Sequence, residues 1–130
     1  MAERYLIDSS AAIKYLNETF PAAAILFMDE IVDTESIISF ISEIELQVWN
    51  PANADDISIY QSFVAGSQVI GINAGIIQQT IEIRKIHKLK LPDALIAATA
   101  LDNNLTLIAD NDTDFKKVSG LKYINPVQIS

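Results

Sequence analysis

Short apolar segments of strand type alternate with segments of helical type along the whole chain, and this alternation is the strongest constraint on the fold. The strand-like runs are rich in the β-branched residues Ile and Val. They cover residues 4–8, 36–41, 69–72, 105–110 and 121–126. Strands separated by helices pair in parallel, and the helices pack on both faces of the sheet. The sequence therefore predicts an α/β fold around a mainly parallel sheet of four to five strands.

The segments between the predicted strands begin with residues that favour the start of a helix. Helices are predicted at 11–17 after Ser9 and Ser10, 22–32 after Pro21, 43–49 after Ser42, 55–65, 74–88 after Asn73, and from Pro92 onwards. Asn50-Pro51 and Gly66 are expected to end two of them. In the helix after Asn73, the spacing of the isoleucines predicts a buried stripe. Its members are Ile76, Ile77, Ile81, Ile83 and Ile86.

Composition restricts the class of protein. The chain has 130 residues, so 1–130 are predicted to form a single domain. It contains no cysteine, which excludes disulfides, thiolate metal sites and cysteine nucleophiles. The N-terminus lacks a signal-peptide pattern, and no apolar run approaches the roughly 18 residues that span a bilayer. A soluble cytoplasmic protein is therefore expected.

The charge is unevenly distributed. A net charge of -8 argues against a broad basic surface for nucleic acid. One basic cluster nevertheless surrounds the single histidine, His87. Its members are Arg84, Lys85, Lys88 and Lys90. Taken alone, such a run is typical of a solvated face.

Five acidic residues fall where predicted strands end or predicted helices begin. Asp8 ends the first strand, and Asp110 and Asp112 end or follow the run LTLIAD. Glu45 and Asp93 lie in the first turns of helices. In parallel α/β sheets, ligands bind outside the carboxyl ends of the strands. These acids are therefore expected to converge on one rim of the sheet.

Most of these acids also have a purely structural interpretation. Glu45 could complete a capping box with Ser42. Asp93 could interact with the helix dipole, which contributes roughly 0.3–1 kcal/mol. Asp110 and Asp112 lie in a turn-like run, DNDTDF. Asp8, at the end of a buried apolar strand, has the weakest structural explanation.

Several carboxylates on one rim would repel one another strongly unless a cation lay between them. Carboxylate oxygens suit Mg²⁺ or Mn²⁺. Acid clusters that hold such ions serve phosphodiester hydrolysis. The basic cluster would then hold a phosphate backbone beside the cation.

Four motifs, YLIDSS, ISEIEL, LKLPDALIAATA and LIADNDTDF, resemble the PIN domain in their order and spacing, and specifically the VapC-type toxins of toxin–antitoxin pairs. The resemblance covers nearly the whole chain, and LPDALIAATA is its most specific part. It implies a three-layer α/β/α fold and a Mg²⁺- or Mn²⁺-dependent ribonuclease that arrests translation. It also implies a cognate antitoxin as partner and a homodimer. The apolar segment AAAILFM, with Ile25, Leu26 and Phe27, is a plausible surface for either partner.

The resemblance assigns site residues by position. Asp8, Glu45 and Asp93 match three of the family's acids, and Glu43 is a weaker choice than Glu45. Ser10 matches a polar residue that supports the first acid. At the fourth position the chain departs from the pattern, because Ala109 replaces a hydroxyl residue and Asn111 aligns with the usual acid or amide. Asp110 or Asp112 is expected to serve there.

Other classes fit less well. A phosphorelay receiver would need a lysine that ends a later strand, and none is in place. A haloacid-dehalogenase-type phosphatase would need a second acid at Ser10. A PIN fold that has lost cleavage and only binds RNA or protein remains an alternative, because Ala109 lacks the hydroxyl. Residues in the basic cluster, including His87, are expected to face RNA or solvent rather than to act in catalysis.

Overall fold

The structure, a computed structural model, describes residues 3–48 and 54–129. Within these ranges, five strands alternate with seven helices. In chain order they are β1 (Tyr5–Ile7), α1 (Ser9–Leu16), α2 (Ala22–Thr34), β2 (Ile37–Ser39), α3 (Phe40–Val48), α4 (Asp56–Ala65), β3 (Gln68–Ile70), α5 (Ala74–Ile86), α6 (Leu91–Asp102), β4 (Thr106–Ile108), α7 (Asp112–Phe115), β5 (Tyr123–Ile124) and the 3₁₀ turn Pro126–Gln128.

All of the strand pairs are parallel in the part of the chain that the structure describes. β4 pairs with β1 on one side and with β5 on the other, so that Ile108 lies opposite Ile7 and Ile124. β2 pairs with β3 in a separate ladder. Because β1 and β2 run within 8 Å of each other, the strands lie in the order β3-β2-β1-β4-β5.

The core consists of two apolar clusters, one on each face of the sheet. Successive strand residues point to opposite faces, so neighbours along a strand enter different clusters. One cluster joins α5, α6 and α7 to the strand residues Leu6, Ile37 and Leu107. The other joins helices α1 to α4 to the strand residues Ile7, Ile38 and Ile108. The predicted α/β/α fold with a parallel sheet is thereby confirmed.

Two helices begin earlier than predicted, because residues at strand ends cap them. Asp8, and not Ser9 or Ser10, is the N-cap of α1, and its carboxylate accepts a hydrogen bond from the Ser10 backbone N–H. Ser39 Oγ accepts from the Ser42 backbone N–H at 3.2 Å, so α3 begins at Phe40. Ser42 therefore lies inside the helix, and the predicted capping box does not form. The predicted helix end at Asn50-Pro51 lies outside the described residues.

The isoleucine stripe of α5 is narrower than predicted. Ile76 and Ile83 are buried, whereas Ile77, Ile81 and Ile86 are exposed. The buried Thr80 lies between the two buried isoleucines along the helix and donates its hydroxyl to the Ile76 carbonyl at 2.7 Å.

The strands and the long α5 helix are shorter than predicted. For example, β4 covers three residues of the predicted 105–110. The run DNDTDF, expected to be a turn, contains the one-turn helix α7. No helix in the ranges described is both long and apolar enough to cross a membrane.

Candidate active site

The candidate site lies where the connections of the sheet change direction. From β1 the chain proceeds to β2 and β3 on one side, and it later returns to β4 and β5 on the other. The carboxyl ends of β1 and β4 therefore border the crevice at which α/β sheets bind ligands. Asp8 directly follows β1, and Asp110 follows β4 after one residue.

Asp8 is a buried carboxylate, with 6% of its surface exposed. Its Oδ2 accepts from Ser10 Oγ at 2.5 Å and from the Ser10 N–H at 3.2 Å. Burial raises the pKa of Asp8 to about 6, against the opposing effect of the Ser10 hydrogen bonds, and the charges of Glu45 and Asp93 raise it further. Carboxylates on α3 and α6 thus lie close enough to act on the carboxylate that follows β1.

Glu45 is held by serines of two helices. Its Oε1 accepts from Ser9 Oγ at 2.6 Å, and Ser9 Oγ lies 3.0 Å from Ser42 Oγ. The carboxylate of Glu43, by contrast, accepts no hydrogen bond from any residue that the structure describes. Of the two glutamates, Glu45 is therefore the one that lies with Asp8, and its role as a ligand stays a prediction.

Asp93 is half-buried in the first turn of α6. Its pKa is raised by burial first, then by Asp114 and Glu45, whereas Lys90 lowers it. Within residues 3–48 and 54–129, the Asp93 carboxylate has neither a hydrogen-bond nor an ion-pair partner. It therefore does not cap α6 through a hydrogen bond, and its charge faces other acids.

The α6 helix brings Asp93 to the site because the rest of the helix is apolar and small. Four alanines of α6 are completely buried in the core cluster that contains the strand residues Leu6, Ile37 and Leu107. They are Ala94, Ala97, Ala98 and Ala100. Small side chains permit close packing, so that the first turn of the helix is fixed at the rim of the sheet.

Asp110, one of the two predicted fourth acids, has partners of its own. It forms an ion pair with Lys14 and accepts from Asn125 Nδ2 at 2.9 Å. The hydrogen bond from Lys14 is the main reason that the pKa of Asp110 is lowered.

Asp112, the other predicted fourth acid, accepts from Tyr123 Oη at 2.7 Å, from Asn125 Nδ2 at 3.1 Å and from Gln128 Nε2 at 2.5 Å. These bonds, that from Tyr123 first, lower its pKa to about 2. Together with Asp110, it ties the loop after β4 to the C-terminal segment.

Asp114 is the acid of this loop whose charge raises the pKa of Asp93. Its Oδ2 accepts from Asn111 Nδ2 at 3.0 Å, and Lys117 Nζ lies 3.8 Å from its Oδ1. Asp114 is not among the acids that the sequence predicts for the site. Phe115 is buried in the core, and this fixes its neighbour beside the site.

The donor set fits a hard divalent cation, because carboxylate oxygens are the ligands that Mg²⁺ and Mn²⁺ prefer. In the ranges that the structure describes, Asp93 has no bonding partner of its own, and neighbouring negative charges raise the pKa values of both Asp8 and Asp93. Among the described residues, however, no three acidic or histidine side chains already converge tightly enough to share a single ion. The acids are neighbours and do not form a closed cage.

The four cations of the predicted basic cluster are exposed, and one of them acts on a predicted site acid. Arg84 Nε donates to the Leu89 carbonyl at 3.3 Å, and Lys85 lies 3.9 Å from Glu82. Of the four cations, Lys90 is the one that lowers the pKa of Asp93. Lys117, which the sequence analysis did not predict as part of the cluster, lies beside Asp114.

A surface cavity of about 300 Å³ lies elsewhere, at the start of β1 and along α2. Tyr5, Phe27 and Glu30 line it, and it contains none of the site acids. The acids are therefore not at this cavity.

Comparisons with known proteins agree with this fold. The family model of the PIN domain matches residues 5–121. A search of curated protein sequences found no match.

Among solved structures, DNA-bound VapBC from Salmonella typhimurium is similar, with a TM-score of 0.79 and 18% identity over 96% of this chain and 99% of that chain. VapBC2 from Rickettsia felis, bound to a promoter DNA fragment, has a TM-score of 0.77 and 22% identity over 93% of this chain and 97% of that chain. A toxin–antitoxin complex from Klebsiella pneumoniae has a TM-score of 0.72 and 26% identity over 94% of this chain and 97% of that chain. The family match spans most of the chain, and the chain belongs to the PIN domain family.

Proposed function

We propose that the chain is a Mg²⁺- or Mn²⁺-dependent endoribonuclease that hydrolyses RNA phosphodiester bonds, and that it is the toxin of a toxin–antitoxin pair that inhibits translation. The observation that carries this proposal is the buried Asp8 carboxylate at the carboxyl end of the sheet, on which the charges of Glu45 and Asp93 both act. Three separate elements deliver these acids to one crevice. A merely structural role for each would not require them to meet.

Asp8, Glu45 and Asp93 would hold the cation in this proposal. Asp114 is favoured as the fourth acid over Asp110 and Asp112, because its charge acts on Asp93, whereas the other two are held by partners from α1 and the C-terminal segment. Asp110 and Asp112 remain predictions of the sequence. A bound Mg²⁺ or Mn²⁺ would supply Lewis-acid chemistry and positive charge for an in-line displacement at phosphorus.

Ser10 has two contacts that suit it to support the site. Its hydroxyl donates to Asp8 Oδ2, and its oxygen accepts from the Asp110 N–H at 3.2 Å. One side chain thus ties the end of β1 to the loop after β4. We infer that Ser10 fixes the Asp8 carboxylate for the cation, as outer partners of metal ligands generally do.

The RNA backbone would be held by lysines around the acids. Lys90 acts on the charge of Asp93, and Lys117 lies 3.8 Å from Asp114. Arg84, Lys85 and Lys88 extend the positive charge outward from Lys90. A cluster of this kind supplies local attraction that the overall charge of -8 does not. Choice among RNA molecules would rest on the shape of loops and single strands.

A cognate antitoxin is the proposed protein partner, because the similar structures include toxin–antitoxin complexes. A homodimer in the cytoplasm is proposed on the basis of the family resemblance. Of the three α2 residues predicted to form a contact surface, Leu26 is 70% exposed, whereas Ile25 and Phe27 are half-buried. Phe27 packs edge-on against Tyr5 with ring centroids 5.9 Å apart. Leu26 is therefore the residue of this segment best placed to contact a partner.

The second candidate is a PIN-fold module that binds RNA or protein without cleaving it. The observation that favours it is Ala109, a buried residue without the hydroxyl that the family commonly has there. The intact Asp8, Glu45 and Asp93 favour the enzyme.

The test is cleavage of a labelled single-stranded RNA in Mn²⁺, in Mg²⁺ and in EDTA. Wild type is compared with Asp8→Asn and Asp93→Asn, and with Asp102→Asn as a matched control. Asp102 is an exposed acid at the other end of α6, where it accepts from Asn73 and Gln79. Cleavage that requires metal, Asp8 and Asp93 but not Asp102 supports the enzyme. RNA binding without cleavage by wild type supports the binding module.

A further inference from the structure

Three buried serines are connected by hydrogen bonds that lead to the Glu45 carboxylate. Ser9 is 8% exposed, and Ser39 and Ser42 are fully buried. Ser9 belongs to α1 and the two other serines to the end of β2 and the start of α3. The contact between the Ser9 and Ser42 hydroxyls links α1 to α3.

The Ser9 hydroxyl has two oxygen neighbours. A carboxylate only accepts, so Ser9 donates to Glu45 Oε1, at 2.6 Å, the shorter of its two contacts. Ser9 Oγ also lies 3.0 Å from Ser42 Oγ. The Ser9 hydroxyl therefore connects the Glu45 carboxylate to the buried hydroxyl of Ser42.

Stability alone does not account for these hydroxyls. Burial of a polar group is costly unless it is hydrogen-bonded, and an apolar pair of the same size would pack at least as well. Ser39 caps the start of α3, but Ser9 and Ser42 do not, because Ser9 belongs to α1 and Ser42 lies within α3. What the arrangement does provide is a fixed orientation for a long, otherwise mobile glutamate side chain.

Adjacent serines serve different acids in this arrangement. Ser10 bonds Asp8, whereas Ser9 bonds Glu45. Successive residues of a helix point about 100° apart, since a turn has 3.6 residues. The start of α1 can therefore address two carboxylates that come from different elements.

We propose that Ser9, supported by Ser42, is a positioning residue that orients the Glu45 carboxylate toward a divalent cation. This inference rests on the proposed function. Ser9 itself touches neither the cation nor RNA; it acts through Glu45. Loss of its hydroxyl is expected to weaken metal binding rather than to unfold the protein.

The experiment measures Mn²⁺ affinity of the full chain by titration calorimetry, with melting curves to verify folding. Ser9→Ala should bind Mn²⁺ about 10–100-fold more weakly than wild type, the range found when partners of metal ligands are removed. Ser9→Thr retains the hydroxyl and should bind nearly as wild type does. Thr80→Val removes another buried hydroxyl, on α5 away from the acids, and should leave Mn²⁺ affinity unchanged.

A metal-free measurement tests the contact itself. In a double-mutant cycle of Ser9→Ala and Glu45→Gln, the two changes in unfolding free energy should not be additive, because the residues share a hydrogen bond. Additive changes would overturn the inference. So would Mn²⁺ affinity of Ser9→Ala equal to that of wild type.

Failure of the proposed function would give a different result from failure of this inference. Wild type itself would then neither bind Mn²⁺ nor cleave RNA, and Ser9 would have no metal ligand to position. If wild type binds Mn²⁺ and Ser9→Ala binds it equally well, only the role of Ser9 is lost. A fall in Thr80→Val affinity as large as that in Ser9→Ala would attribute the effect to general loosening and would also overturn the inference.

Discussion

Lys14 on α1 forms an ion pair with Asp110 in the loop after β4, across 96 positions of sequence. The pair crosses the crevice between the carboxyl ends of β1 and β4. It supplies Asp110 with a permanent cation, so this carboxylate does not need a metal ion to offset its charge. Asp112 likewise has a cation, Lys116 Nζ at 3.4 Å, and it also accepts from Tyr123 and Gln128.

Replacement of the loop acids one at a time should identify the fourth acid of the site. Asp114→Asn is expected to lose most of the metal-dependent RNA cleavage, because Asp114 is the loop acid whose charge acts on Asp93. Asp110→Asn and Asp112→Asn are expected to keep most of it. Cleavage rates in Mn²⁺, with melting temperatures for each variant, provide the measurement.

The three variants should also differ in stability. Asp110→Asn breaks a partly exposed ion pair and should cost about 1 kcal/mol or less. If Asp110→Asn or Asp112→Asn abolishes cleavage while Asp114→Asn is active, the assignment from sequence is right and the contacts are misleading. Small equal losses from all three would mean that Asp8, Glu45 and Asp93 suffice.

The overall architecture was predictable because its signals are local. Apolar runs bounded by capping residues mark strands and helices within a few positions. The exact helix starts were not predictable, since side chains at strand ends decide them: Asp8 caps α1, and Ser39 accepts from the N–H of Ser42.

The site was predictable only in part, for the same reason. The rule that ligands bind at the carboxyl ends of strands predicts that all five acids converge, and the family resemblance then assigns Asp8, Glu45 and Asp93. The roles of Asp110 and Asp114 depend on partners such as Lys14, and on a one-turn helix that Asn111 caps at the Asp114 N–H. No local pattern carries that information.

Stability without metal should fall as pH rises through the titration of Asp8. The pKa of this carboxyl is about 6 in the folded protein against an ordinary 3.8, so the folded state holds the proton more tightly than the unfolded state does between these values. Raising the pH from about 4 to about 6 therefore destabilises the metal-free fold. Asp8→Asn, which cannot titrate at this position, should show a flatter dependence. Urea unfolding in EDTA at several pH values measures it, and a steeper fall in Asp8→Asn than in wild type would contradict the argument.

Lysines beside the acids should contribute more to RNA binding than those farther away. The double variant Lys90→Ala/Lys117→Ala is compared with Lys85→Ala/Lys88→Ala, which removes the same charge from the outer part of the cluster. Each lost phosphate contact should reduce the slope of log affinity against log salt by about 0.7 for single-stranded RNA. Fluorescence anisotropy in EDTA, where no cleavage is expected, gives the slopes. Unchanged slopes in both variants would mean that these lysines form only a solvated face.

Asp93→Asn distinguishes a metal ligand from a helix-start residue. Asp93 carries a raised pKa because of burial and the charges of Asp114 and Glu45, so its removal should relieve repulsion in the metal-free protein. The variant is expected to melt no lower than wild type in EDTA, and up to a few degrees higher, which corresponds to about 1 kcal/mol at this size. It should gain much less stability from Mn²⁺ than wild type does, because a ligand that binds only the folded state stabilises it. A residue that merely complements the helix dipole behaves differently: its loss lowers stability equally with and without Mn²⁺ and leaves cleavage intact. Melting curves in both buffers for Asp93→Asn and for the control Asp102→Asn, beside one cleavage assay, separate the two, and equal losses in both buffers with normal cleavage would remove Asp93 from the site.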